Sequence, residues 1–123
     1  MRMTILLCCF VLLGGCGHKG GPVSYQRDLQ PLIANRCVPC HNSNMRSGNI
    51  VLTSYDSVMA ARTTKGKKPI VVAGQPNDSW LYLLGATKQA HFRMPPDTST
   101  LTPFSDDEVR LVGRWIQQGA GNN

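Results

Sequence analysis

Three side chains in the stretch Asn35-Arg36-Cys37-Val38-Pro39-Cys40-His41 could do chemistry together: two thiols three positions apart and an imidazole directly behind the second. Such a trio could ligate zinc, form a redox dithiol, or attach a haem covalently. A zinc site takes four protein ligands, or three and a water, in a tetrahedron. The sequence offers no second cysteine pair for that, and its other two histidines, His18 and His91, stand alone. A thioredoxin-type dithiol sits beside a strand-helix-strand unit, and no such pattern is readable. Haem attachment fits better. Positions i and i+3 of a helical turn share a face, so Cys37 and Cys40 can both reach the vinyl groups of one porphyrin, and His41 can bind its iron from below. A Cys37–Cys40 disulfide is the plain alternative.

The compartment bears on that choice. Arg2, the apolar run from Thr4 to Leu13 and the small residues before Cys16 follow the order of an export signal, and Leu13-Gly14-Gly15-Cys16 is similar to a bacterial lipobox. Residues 1–15 therefore read as a lipoprotein signal peptide, with Cys16 as the lipidated first residue of the mature chain. Residues 16–24, rich in glycine and including His18, read as a flexible tether, and residues 25–120 as the folded domain. The protein is expected at the periplasmic or cell-envelope face, held to a membrane by its lipid. Of five cysteines, Cys8 and Cys9 leave with the signal and Cys16 takes lipid. Cys37 and Cys40 would then face an oxidising compartment, where two adjacent free thiols do not stay idle.

The full chain carries a formal charge of +6. This balance suits contact with acidic partners but is too diffuse to argue for nucleic acid. Lys65, Lys67 and Lys68 form a basic loop, which reads as solvated or, more sharply, as a docking patch.

The elements that must position the trio are mostly helical. Pro31 near a helix start, with Leu32, Ile33 and Arg36 behind it, predicts a short helix delivering Cys37. An extended piece turning into a short helix is expected over 50–61, and another helix follows Pro76, with Trp80, Leu81, Leu83 and Leu84 on it. Ser105 with Glu108 is a capping-box signature, Val109, Val112 and Ile116 recur on one face beside Leu111 and Trp115, and Gly119 is a plausible stop. No strand reads clearly, so the fold class is all-α.

With these residues in view, the chain resembles the monohaem c-type cytochromes, in particular the short cytochrome c modules of exported bacterial proteins. The likeness covers nearly all of residues 23–120. It rests on the Cys37-Val-Pro-Cys40-His41 motif, Gly74-Gln-Pro, Met94-Pro95-Pro96 and the capped C-terminal helix. Asn42 stands where such modules commonly have glycine, and Ala73 where proline often precedes the glycine. The resemblance implies a few helices wrapped around one covalent haem c, with His41 as proximal and Met94 as distal ligand of the iron. Local chemistry favours Met94 separately. Pro95 and Pro96 stiffen its loop, whereas Met45 is too close to His41 to cross the ring and Met59 sits in an expected helix as a core residue. His91 is the rival. Leu32, Leu52, Leu83 and Leu101 are candidate walls.

A haem with both axial positions filled moves electrons singly between redox protein partners and is not an enzyme. No catalytic residue is expected. The alternatives are a small-ligand sensor with an open distal site, and a structural lipoprotein whose two cysteines form a disulfide. Replacing Cys16 by Ser is expected to release a soluble haem domain from membranes, measured by fractionation and haem stain. An unmutated protein that is fully soluble, with Cys16 unmodified by mass, argues for plain secretion instead.

Overall fold

A computed structural model describes residues 20–123; the expected signal peptide, the expected lipidation site Cys16, and His18 lie outside the described residues. Four helices carry the domain: α1 (Gln30–Arg36), α2 (Tyr55–Ala60), α3 (Trp80–Ala86) and α4 (Asp106–Gln117). Among the described residues the only β pairing is one antiparallel bridge between Arg62 and Pro69, which closes the basic loop. The all-α expectation holds.

Local chemistry starts and stops these elements. A π-helical turn, Tyr25–Leu29, leads directly into α1. Ser24 caps it by accepting from the Arg27 amide, while the Asp28 carboxylate accepts from the Ser24 amide. Pro31 falls in the first turn of α1, where a missing N–H leaves no bond unmade. Capping boxes start α2 (Ser54 with Ser57) and α4 (Ser105 with Glu108). The stop of α4 is a Schellman arrangement: Gly119 N–H donates to the Ile116 carbonyl and Ala120 N–H to that of Trp115, both at 2.9 Å.

One face of α4 buries Val112, Trp115 and Ile116 in the core cluster that also holds Leu29, Leu32 and Ile33 of the N-terminal helical stretch. Tyr25 packs edge-on to Tyr55, ring centroids 5.1 Å apart, and tilted against Trp115. Val58 of α2 is fully buried and Met59 packs on the same core from its edge.

The domain begins earlier than the sequence implies. Residues 21–24, expected in the flexible tether, are fixed on α4. Val23 is 4 % exposed and its amide donates to Gln118 Oε1 at 2.8 Å, while Arg114 donates to the Gly21 carbonyl at 2.6 Å. Asn123 completes the clasp, its side chain and carbonyl bonding Val23, Ser24, Tyr25 and Gln26. A single valine among glycines gives no periodic signal, so burial at its position could not be read ahead of the fold.

The segment leading into α4 packs on α3 closely enough to exclude a methyl group. A Cβ built on Gly85 would lie 2.6 Å from the ring of Phe104, which is itself buried. Gly85→Ala is therefore expected to destabilise the holoprotein by about 1–2 kcal/mol, overpacking outweighing the better helix propensity of alanine. The check is the thermal midpoint, and an unchanged or raised value would mean that Phe104 yields freely.

Candidate cofactor site

After α1 the chain keeps turning. The amides of Cys40 and His41 both donate to the Cys37 carbonyl, at 3.1 and 2.9 Å. The second is an i to i−4 bond, so Cys37, Cys40 and His41 lie on one face of a helical turn, as their spacing implies. Cys37 is buried, Cys40 and His41 are half-buried, and no disulfide joins the two sulfurs. Burial, with the neighbouring Cys40 adding, pushes the Cys37 thiol up to about 12. That is the reverse of a reactive dithiol, whose thiol is shifted down. Among the described residues no group of three or more His, Cys, Asp or Glu side chains is placed to hold a metal ion, so the zinc reading gains nothing.

His41 is oriented by one peptide unit. Its Nδ1 lies 3.0 Å from the Ser47 carbonyl oxygen, which can only accept, so Nδ1 carries a proton and the lone pair of the neutral ring is on Nε2. The amide of Ser47 donates to the Cys40 carbonyl at 3.0 Å. Left-handed residues on either side, Arg46 (φ 44°) and Gly48 (φ 63°), turn both ends of this residue inward. A side chain at Gly48 would be strained by that φ and crowded by Thr64 Oγ1, 3.1 Å from a built Cβ. Asn42 stiffens the same loop: its amide nitrogen donates to the Val38 and Pro39 carbonyls and its oxygen accepts from the Asn44 and Met45 amides. A glycine at that position could make none of these four bonds.

Met94 arrives from another element. Its amide donates to the Leu84 carbonyl at 2.9 Å, satisfying one of the free carbonyls at the end of α3 and docking the loop there. Its side chain is 42 % exposed, Phe92 is 64 % exposed, and Leu83, Leu84 and Leu101 are half-buried outside the main core cluster. Leu32 and Leu52 are in that core. His91 is exposed. The Ala73 departure leaves the chain path intact, with Gly74 N–H bonded to the Ile116 carbonyl at 2.7 Å and Gln75 N–H to that of Val72. Ser79, fully buried, holds this turn through Val72 and Gln75.

Among the described residues no hydrogen bond runs directly between residues 37–41 and Met94; the two halves are joined through Arg36. Its guanidinium donates to the Thr102 carbonyl at 3.2 Å and to Glu108 at 3.1 Å, linking the end of α1 to the segment after Met94 and to the cap of α4. Two surface clefts, of about 290 and 520 Å³, are lined from Pro22, Val23, Gln118 and Asn123 and from Pro31, Asn35 and Leu111 among others. Neither includes Cys37, Cys40, His41 or Met94.

An all-helical domain with a Cys-x-x-Cys-His turn and an oriented imidazole defines a c-type cytochrome. A family model described as Planctomycete cytochrome C matches residues 37–98, half of the chain, and the chain belongs to this family. No curated protein and no solved structure gave a match. Membership makes this a haem-based electron-transfer domain, and the residues fit haem: two unjoined cysteines on one face, an imidazole with Nε2 free, a thioether on a docked loop, and an arginine, Arg93, whose Nε is buried without a partner.

The Ser47, Arg36 and Asn42 roles are invisible to motif reading. Ser47 acts through its backbone, which leaves no residue-type signal, and Arg36 and Asn42 act through contacts that only the fold brings about.

Glu108 serves both the α4 cap and the Arg36 link, with a different oxygen for each. Burial pushes its carboxyl up, but the bonds from the Ser105 amide and Arg36 outweigh that, and its pKa ends below the usual 4.5. A depressed carboxyl stabilises the fold above its unfolded value, and that contribution is lost as pH falls through the folded one. The thermal midpoint of the holoprotein is therefore expected to drop as pH falls below 4.5. Glu108→Gln should make the drop shallower, followed by circular dichroism; an identical acid slope in the variant would assign the sensitivity to other groups.

Proposed function

We propose that this chain is a one-electron carrier with a single haem c, joined through thioethers to Cys37 and Cys40 and ligated axially by His41 and Met94. The observation that carries the reading is the Ser47 carbonyl on His41 Nδ1, which engages one ring nitrogen and leaves Nε2 as the nitrogen that could ligate iron, directly behind two unjoined cysteines. The bound haem would supply the iron couple on which one-electron transfer depends.

The chain's own part is to hold donors and exclude competitors. Cys37 and Cys40 fix the porphyrin edge, the Ser47 peptide fixes the imidazole, and the bond to Leu84 fixes the backbone from which the Met94 thioether reaches. With both axial positions taken by protein, no open coordination site remains for a substrate, which supports a carrier over an enzyme.

Partner contact is read from charge. Lys65, Lys67 and Lys68 are exposed, and the Thr64 hydroxyl bonds the Gly48 carbonyl at 2.6 Å, setting this basic loop against the turn that holds His41. An acidic redox protein docking there would meet the proximal side of the site. Export and acylation at Cys16 would place the domain at a membrane surface in the cell envelope. Among the described residues no helix is long and apolar enough to cross a membrane.

Met94→Ala is expected to keep haem through denaturation, since thioethers survive it, while opening the distal site. The weak long-wavelength methionine-to-ferric-iron band should vanish, the reduction potential should fall, and carbon monoxide should bind the reduced variant far better than the wild type. His91→Ala should change none of these. Free carbon monoxide binding by the wild type would favour the sensor reading, and loss of colour into acid acetone would remove the covalent haem.

A further inference from the structure

Arg93 carries the one side-chain polar atom that is buried with no hydrogen-bond partner among the described residues, its Nε. Leaving a buried N–H donor unpaired costs about 1–3 kcal/mol, and more when the group is charged. The backbone of Arg93 is fixed on both sides. Its amide donates to the Gln89 carbonyl at 3.0 Å and the next amide, that of Met94, to Leu84. No acid of the described chain meets it. The ion pairs of the described residues use Arg27, Arg36, Lys88 and Arg110, and Asp97, four positions on, is exposed and makes no bond to Arg93.

A guanidinium is a planar fork of donors suited to a carboxylate, and the cofactor of this family brings two carboxylates of its own. We propose that Arg93 binds a propionate of the haem whose iron Met94 ligates, donating to it through the buried Nε. The proposal rests on the haem reading above. Arg93 is a positioning residue: it fixes one edge of the porphyrin relative to the Met94 loop and sets a permanent positive charge near the iron. That charge favours the reduced state, which carries one positive charge fewer.

The test uses purified holoprotein and three variants: Arg93→Gln, Arg93→Lys, and Arg110→Gln as a control that removes an exposed charge from α4. Haem stain on the denatured wild type comes first, since its absence overturns the haem reading and this proposal with it. With haem in place, Arg93→Gln should lower the equilibrium constant for reduction by roughly three- to tenfold, read as a midpoint potential about 30–60 mV lower. Arg93→Lys should restore most of the loss and Arg110→Gln should cause little of it. A glutamine variant no different from the Arg110 control overturns the proposal. Should that variant fail to accumulate, nitrogen-labelled wild type in the reduced state decides. The Arg93 Nε proton should exchange slowly with water and be displaced by the porphyrin ring current, whereas exchange as fast as that of Arg110 would overturn the assignment.

Discussion

Much of this molecule hangs on the hydrogen bond between His41 Nδ1 and the Ser47 carbonyl. A free imidazole rotates and exchanges tautomers; this one is held by Nδ1, which leaves Nε2 as the nitrogen able to ligate. The bond exists because the chain reverses within a few residues of His41, and the reversal depends on Arg46 and Gly48 taking left-handed conformations on either side of Ser47. Arg46 bears that conformation with a full side chain, at a cost of order 1–2 kcal/mol. The Asn42 side chain and the Arg46 amide, which donates to the Asn42 carbonyl, hold the reversal together.

The apolar material is divided into two parts. One part, around Leu29, Ile33, Val112, Trp115 and Ile116, is closed and supports the junction of the N-terminal helical stretch with α4. The other part, Leu83, Leu84, Leu101, Phe92 and Met94, keeps partial exposure on and just after α3. Such a distribution suits a cofactor that contributes to the core, since porphyrin faces are apolar and each 100 Å² covered is worth about 2.5 kcal/mol. Arg36 spans the two parts, tying the helix that delivers Cys37 to the segment that follows Met94.

How far the sequence foretold this differs by element. The start of α4 was readable because a capping box is a local pattern with a local cause, and its buried face because the 3.6-residue period survives in Val112 and Ile116. The Cys37 to His41 turn was readable because spacing alone puts those residues on one face. The placement of Met94 against the end of α3 was not, since it depends on a backbone amide finding a carbonyl ten residues earlier. Burial of Val23 was equally hidden. It follows from Gln118, Arg114 and Asn123 folding back from the far end of the sequence onto the Gly-rich stretch.

That last clasp has a mechanical consequence. Any tension arriving from upstream of Gly21 meets Arg114 on α4, Gln118 at its C-terminal cap and then Asn123 before it can reach α1. Strands of chain held side by side and pulled along their length load their bonds together, not one at a time. Load from that end therefore falls first on the C-terminal helix and the residues just beyond it, which belong to the closed part of the core.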